Sequence, residues 1–325
     1  MSNDPLHSDQ WSEWLLRRRN GGDPQKEFAI QRKVERMRDL VLDGAGPLVG
    51  RVLLDVGCGD GLIAFGAFER AGQSMQAIFA DVSRPLLDRA EQRAVEKGVR
   101  KHSTFLHTSA EALDGVTDES ADVVTTRAVL AYIEDKAAVA RRFYRALTPG
   151  GRVSIAEPIN RDEALHLAAF SSFLLSPAGA TASPVARLLH RCKSALLPST
   201  PEEIQKNPVT NFSERDLITF FQGAGFIEIH LELHIDIMRQ AAVAWDTYID
   251  IAPRPGSATL REVFATQLSA AELGELERTL RPMVESGLHR SREAIAYLTA
   301  IKPGNEVLGT SDTEGSMVPI FSDRT

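Results

Sequence analysis

Two groups of residues in this chain have the types and spacing to do chemistry. The first is the run VLLDVGCGDG at residues 52–61, an apolar stretch and the acid Asp55 followed by Gly57, Cys58, Gly59 and Gly61. A strand that ends in such a loop and leads into a helix offers free backbone N–H groups and bare backbone against which a ligand can lie closely. A dinucleotide fingerprint would place its third glycine at position 62, where Leu62 stands. An acid just ahead of the loop also suits a cationic ligand better than a pyrophosphate. The second group is dispersed behind later apolar runs: Arg127 and Tyr132, then Glu157, Asn160, Arg161 and His166. A histidine or carboxylate there has the chemistry of a general base, and the others that of ligand contacts.

Such residues need a scaffold that gathers them. From residue 51 onward strands and helices alternate: strands over 51–56, 76–81, 103–107, 121–126 and 151–157, helices over 61–71, 84–97 and 134–147. That alternation implies a parallel sheet covered on both faces. Two helices precede it, one with Trp11, Trp14 and Leu15 on one side, the next with Ile30, Val34, Met37 and Val41 at helical spacing. Between 158 and 212 the pattern loosens into short apolar pieces broken by prolines. FSERDLITFFQGAGF then reads as a helix capped by Ser213 and Asp216, and FIEIHLELH alternates like a strand. Residues 236–290 read as helices, and AIAYLTAIKPG as a last strand, with a helix over 290–301 left open.

The run at 52–61 resembles motif I of the class I S-adenosylmethionine (SAM) methyltransferases, the acid, glycines and small residue of the motif falling on Asp55, Gly57, Cys58, Gly59 and Gly61. The resemblance extends over roughly residues 51–157, through Asp81 at the end of the second strand, TSAEAL after the third, DVVTTRAVLAYI at the fourth and LTPGGRVSIAEP at the fifth. It implies an α/β, Rossmann-like, seven-stranded and mostly parallel sheet, with N-terminal helices and a helical lid built from two insertions. It implies SAM as cofactor and S-adenosylhomocysteine as product. In that family the loop passes under the methionyl moiety, the acid before it helps place the ammonium group, and an acid at Asp81 accepts the ribose hydroxyls with Val82 against adenine. Where many relatives carry Asp after strand three, Ser109 stands here, so Ser109, the backbone near Ala110, or Glu111 is left to meet the adenine amino group. Arg127 is a further cofactor candidate. Cys58 reads as a small filler of the loop.

The expected division is N-terminal helices packing on the core (1–50), the cofactor-binding core (51–157), a first helical insertion (158–212), a core helix and strand (213–235), a second insertion (236–290), the last strand (291–303) and a weakly ordered, turn-rich tail (304–325). Ligands of open α/β sheets bind beyond the carboxyl ends of the strands, so both insertions should cover one mouth. Within it Tyr132, Asn160, Arg161, Trp245 and Tyr248 are candidates to line an acceptor site, and His166 and Glu157 to act as base. Each also has a plainer reading: Trp245 and Tyr248 as lid core, His166 as a helix cover, Glu157 as a loop anchor. Arg17, Arg18 and Arg19 sit where residues 1–50 hold eight acids and eight bases, so they read as a solvated face, or one of them as a partner for the cofactor carboxylate.

Composition narrows the rest. A net charge of −7 over 325 residues argues against a nucleic-acid surface, and two cysteines without a CxxC pair argue against a disulfide framework or a metal cluster. No signal peptide or 18-residue apolar run is present, so no membrane association and a cytoplasmic location are expected. The oligomeric state is not readable. DNA and glutamine N-methyltransferases of this fold carry (N/D)PPY after strand four, where TTRA stands here. The expected function is methyl transfer to a small organic acceptor by in-line displacement, O-methylation first, N- or C-methylation next, and a catalytically silent SAM-binding partner or scaffold as the reading from another class.

Overall fold

The computed structural model describes residues 8–305, so most of the expected weakly ordered tail lies outside the described residues. Asp9 opens helix α1 (Gln10–Glu13) by accepting the N–H groups of Trp11 and Ser12, and the chain continues as a π-helical turn over Trp14–Arg18. Asp23 caps α2 (Pro24–Ala45), with proline at the helix start where its missing N–H costs nothing. Then β1 (Val52–Val56), α3 (Leu62–Ala71), β2 (Gln76–Asp81), α4 (Arg84–Glu96), β3 (Ser103–His107), β4 (Ala121–Arg127), α5 (Lys136–Ala146) and β5 (Leu147–Pro158) follow. The first insertion carries α6 (Arg161–Leu175), α7 (Pro184–Ser194) and α8 (Pro201–Lys206); α9 (Glu214–Gly223) and β6 (Ile227–Arg239) return to the sheet. The second insertion carries α10 (Trp245–Ile249), α11 (Leu260–Gln267) and α12 (Ala270–Glu285), and β7 (Arg290–Ile301) closes the sheet.

The seven strands run in the order β3-β2-β1-β4-β5-β7-β6. Every pairing among β1 to β5 is parallel, while β7 is antiparallel to both β5 and β6, so β7 alone runs against the rest. One face packs α5 and α9 through Phe143, Leu217 and Phe221; the other packs α2, α3 and α4 through Leu42, Phe65 and Ala90. Because β6 runs parallel to β5, the insertions that follow these two strands emerge at the same end of the sheet.

The segment left open over 290–301 is a strand, and β6 runs on to Arg239, through residues 236–239 that the sequence reading assigns to the helical second insertion. Ladder pairing explains both: Ile235 through Arg239 lie opposite Ala294 through Arg290, so each strand supplies the backbone partners that extend the other beyond the sheet's core. The insertions also share a core. Leu188 and Cys192 of α7 pack with Trp245, Phe264, Leu276 and Val284 from the second insertion, which makes the lid one body.

Lys136 ties the first insertion to the loop behind β4. Its ammonium is buried, donates to Ile133 O at 2.8 Å, Pro208 O at 3.0 Å and Asn211 Oδ1 at 3.0 Å, and lies over the Phe212 ring. Lys136→Met should leave these acceptors unpaired and lower unfolding free energy by about 1–3 kcal/mol. Equilibrium denaturation checks this, and an unchanged midpoint would remove the link.

Candidate active site

The carboxyl ends of β1, β2, β4 and β5 bring Asp55, Asp81, Arg127 and Glu157 to one side of the sheet. The loop after β1 is pinned there by its own backbone: Gly57 and Cys58 N–H both donate to Ala80 O, at 2.7 and 3.1 Å, and Gly59 N–H donates to Asp81 Oδ2 at 2.7 Å. Gly57 has φ +64°, and a Cβ there would collide with Val129; Gly61, at φ +89°, would collide with Phe65. Those are the positions where this turn requires glycine.

Asp55 is buried, and its carboxylate accepts Thr125 Oγ1–H at 3.0 Å and Ala64 N–H at 3.2 Å, joining β1 to β4 and to the first turn of α3. Burial pushes its pKa up to about 7 against the pull of those bonds. Glu157 is also fully buried. Its oxygens accept the N–H groups of Val129, Leu130 and Ala131 at 2.9, 3.1 and 3.2 Å, and burial outweighs these donors to push it up to about 7. The sequence reading places Glu157 at the mouth of the site as a possible base. The geometry is that of its other reading, the loop anchor: Glu157 lies beneath the loop after β4 and holds that loop's backbone.

Asp81 accepts Ser83 N–H at 2.7 Å besides Gly59 N–H, and its two oxygens retain lone pairs for further donors. Val82 beside it is half exposed, an apolar face at the strand end. Ser109 Oγ accepts Ala112 N–H at 3.2 Å, Ala110 is buried, and Glu111 is exposed. Cys58 is buried and its thiol pKa is raised well above normal, first by burial and then by Asp81, so it is a filler and not a nucleophile.

Arg127 has no hydrogen-bond or ion-pair partner among the described residues, and burial lowers its pKa with Arg19 nearby adding repulsion. Arg19 pairs with Glu27 at 2.6 Å, but its Nε is buried without a partner. Two guanidinium groups with unspent donors therefore stand next to a loop flanked by an acid. This fits a zwitterionic methionyl group, whose carboxylate needs donors, and Asp81 with Val82 fits a nucleoside. Arg19, and not Arg17 or Arg18, is the member of the N-terminal triplet turned toward this region; Arg17 pairs with Glu13 and Arg18 with Glu262.

The N-terminal segment lies over the loop. A Cβ on Gly59 would meet only Leu15, at 3.7 Å, and Trp11 packs edge-on against Tyr132 with ring centres 5.0 Å apart. Trp14 Nε1 donates to Ala252 O at 2.9 Å, which fastens the same segment to the second insertion. Burial raises the Tyr132 hydroxyl to about 12, so it stays protonated.

Beyond this, a cavity of about 800 Å³ opens between the two insertions and the ends of β6 and β7. His166 and Tyr248 line it, as does Arg254, which lies close enough to Tyr132 to couple with it electrostatically. His166 Nδ1 accepts from Arg292 at 3.4 Å. Of the five residues expected to line an acceptor site only Tyr248 lies in the cavity wall: Tyr132 packs against Trp11 beside it, and the other three lie elsewhere. Trp245 is buried in the lid core, stacked near Tyr248 and Phe264, because an apolar stripe in so small a helical body is needed to fill it. Arg161 pairs with Asp216 at 3.1 Å and Asn160 donates to Val209 O, so both tie α6 to neighbouring chain. Lys26, His190, Arg254, His289, Arg290 and Arg292 line the cavity and have no signature in the sequence, coming from four separate stretches. Among the described residues no group of His, Cys, Asp or Glu is placed to hold a metal ion, and no helix is long and apolar enough to cross a membrane.

Residues 49–195, which hold β1 to β5, the glycine-rich loop after β1 and the acid closing β2, match the methyltransferase domain family. Over that span the chain is similar to the S-adenosylmethionine-dependent methyltransferases. It is 28% identical to a nocamycin O-methyltransferase from Saccharothrix syringae over 80% of this chain and 88% of that one. To a ubiquinone biosynthesis O-methyltransferase from Ralstonia nicotianae it is 33% identical over 46% of this chain, spanning 60% of that relative. A solved geranyl diphosphate C-methyltransferase from Streptomyces coelicolor A3(2) aligns at TM-score 0.47 and 15% identity, over 88% of this chain and 85% of that one.

Two outcomes are expected. A carboxyl group whose pKa is raised by folding favours the folded chain most below its unfolded value and loses that contribution as pH rises through its folded value. Stability should therefore fall between about pH 4 and about 7 and level off above, and Asp55→Asn, which can keep both hydrogen bonds, should make that fall shallower. Denaturation at a series of pH values reads the slope; an unchanged slope would show Asp55 ionised throughout. Separately, Asp81→Ala should weaken S-adenosylhomocysteine binding by about 1–3 kcal/mol in calorimetry. Unchanged affinity would remove Asp81 from the cofactor site.

Proposed function

We propose that this enzyme transfers a methyl group from SAM to an oxygen of a small organic acceptor held in the cavity between the two insertions. The observation that carries the reading is that cavity's place, at the carboxyl end of the sheet and joined to the cofactor loop's surroundings through Arg254, Tyr132 and Trp11. When bound, SAM supplies a methyl group on a positively charged sulfur. Asp81 would hold the ribose, Arg127 and Arg19 the carboxylate, and Gly57 to Gly59 the backbone surface beneath the methionyl chain.

Displacement at such a carbon depends mainly on alignment and on exclusion of water, which the joint lid and the N-terminal segment supply. Tyr132, protonated and at the junction, can donate a hydrogen bond to orient an acceptor oxygen. His166, whose Nδ1 is engaged by Arg292, is placed along the cavity wall and is proposed as a contact to the acceptor. The cationic groups around the cavity favour the ionised form of an acidic hydroxyl, so the acceptor can lose its proton to solvent without a dedicated base. The two relatives described above, both named as O-methyltransferases, support oxygen as the acceptor atom.

Incubation with methyl-labelled SAM and a panel of phenols, enols and carboxylic acids tests this. Label should appear in an ether or ester of at least one of them. Label confined to nitrogen or carbon products would overturn oxygen transfer; cofactor binding without any labelled product would instead favour a silent binding protein.

A further inference from the structure

We propose that the cavity recognises an anionic acceptor with an apolar body, its charged group met by Arg254, Arg290, Arg292 and Lys26. This rests on reading the cavity as the acceptor site. The walls are apolar, formed by Leu167, Phe170, Leu189, Leu196 and Leu260. Around them stand the cations Lys26, Lys193, Arg254, Arg290 and Arg292 against one acid, Glu163, in a chain of net charge −7.

The excess is offset only at a distance, by Asp23 acting on Lys26 and Glu163 on Arg254, neither at ion-pair range. Lys193 lies 3.8 Å from Glu163. No acidic side chain lies within ion-pairing distance of the other four among the described residues. Lys26 reaches Gln240 Oε1 at 3.3 Å, Arg292 reaches His166, and Arg254 donates to the Leu196 carbonyl, all uncharged acceptors. The outer surface of the same lid behaves differently: Arg261 is paired with Asp246 and Asp250, and Arg281 with Glu277 and Glu285.

Cations gathered without partners repel one another, and those that are partly buried also lose hydration, so the arrangement costs stability unless a ligand supplies the missing charge. Burial already depresses the pKa of both Lys26 and Arg254. A neutral apolar acceptor would fill the walls and leave these groups unpaired. A hydrophilic anion would pair them and leave the walls wet. A hydrophobic acid answers both, and a cavity of about 800 Å³ has room for a body of drug-like size.

Calorimetry on the full chain with decanoate, decanol and decyltrimethylammonium tests the inference. Decanoate should bind at least about tenfold more tightly than either of the others, a difference of about 1.4 kcal/mol, and its affinity should fall as salt is raised. Arg254→Gln with Arg290→Gln and Arg292→Gln should abolish that preference while decanol binding stays within about twofold. Should the triple variant fail to fold, Lys26→Gln with Arg290→Gln should reduce the preference. Equal affinity for the three probes, no binding of any, or a preference unchanged in the variants overturns the proposal. Decyl phosphate separates a carboxylate-specific site from one that takes either anion, both of which satisfy it. S-adenosylhomocysteine binding is measured independently, so failure of the methyltransferase reading and failure of the charge preference are distinguishable.

Discussion

Three backbone donors to the end of β2 govern the site. Gly57 and Cys58 share the Ala80 carbonyl and Gly59 reaches Asp81, so the loop after β1 cannot move independently of the strand that carries the acid. That coupling demands a turn that side chains would block, since Val129 and Phe65 occupy the places where a Cβ on Gly57 or Gly61 would go. The loop's shape, the acid's position and the packing of α3 are therefore one constraint, expressed in three places.

Two buried carboxylates extend the same logic across the sheet. Asp55 joins β1, β4 and α3, and Glu157 gathers three successive N–H groups of the loop behind β4. Neither has an opposite charge beside it at ion-pairing distance, which is why burial dominates and both sit near neutral pH. Backbone groups that would otherwise be orphaned in a buried turn are satisfied by side chains with the most acceptor capacity per atom.

The core was legible in the sequence because its signals are local. Asp55, the glycines and Asp81 lie at fixed offsets from apolar runs, and strand and helix periods alternate cleanly between residues 51 and 157. The outer part of β6 carries a local signal too, since Ile235 and Ile237 continue the alternation of Ile227 to Leu233; its last residues, Met238 and Arg239, break that alternation and are held in the strand by Ser291 and Arg290, some 50 residues away. Glu157 looked like a mouth residue because a strand's last acid is usually one; only the fold shows three N–H groups converging on it. Trp245 fills the lid core, as one of its two readings has it; the cationic lining of the cavity left no signal, because which side of a short amphipathic helix faces a second helix body is decided by contacts between insertions.

The N-terminal segment touches both compartments at once: Leu15 lies over Gly59, and Trp14 and Arg18 are fastened to Ala252 and Glu262. A single short segment thus bridges the glycine loop and the second insertion, so a substitution that loosens its grip on either one is transmitted to the packing of the other.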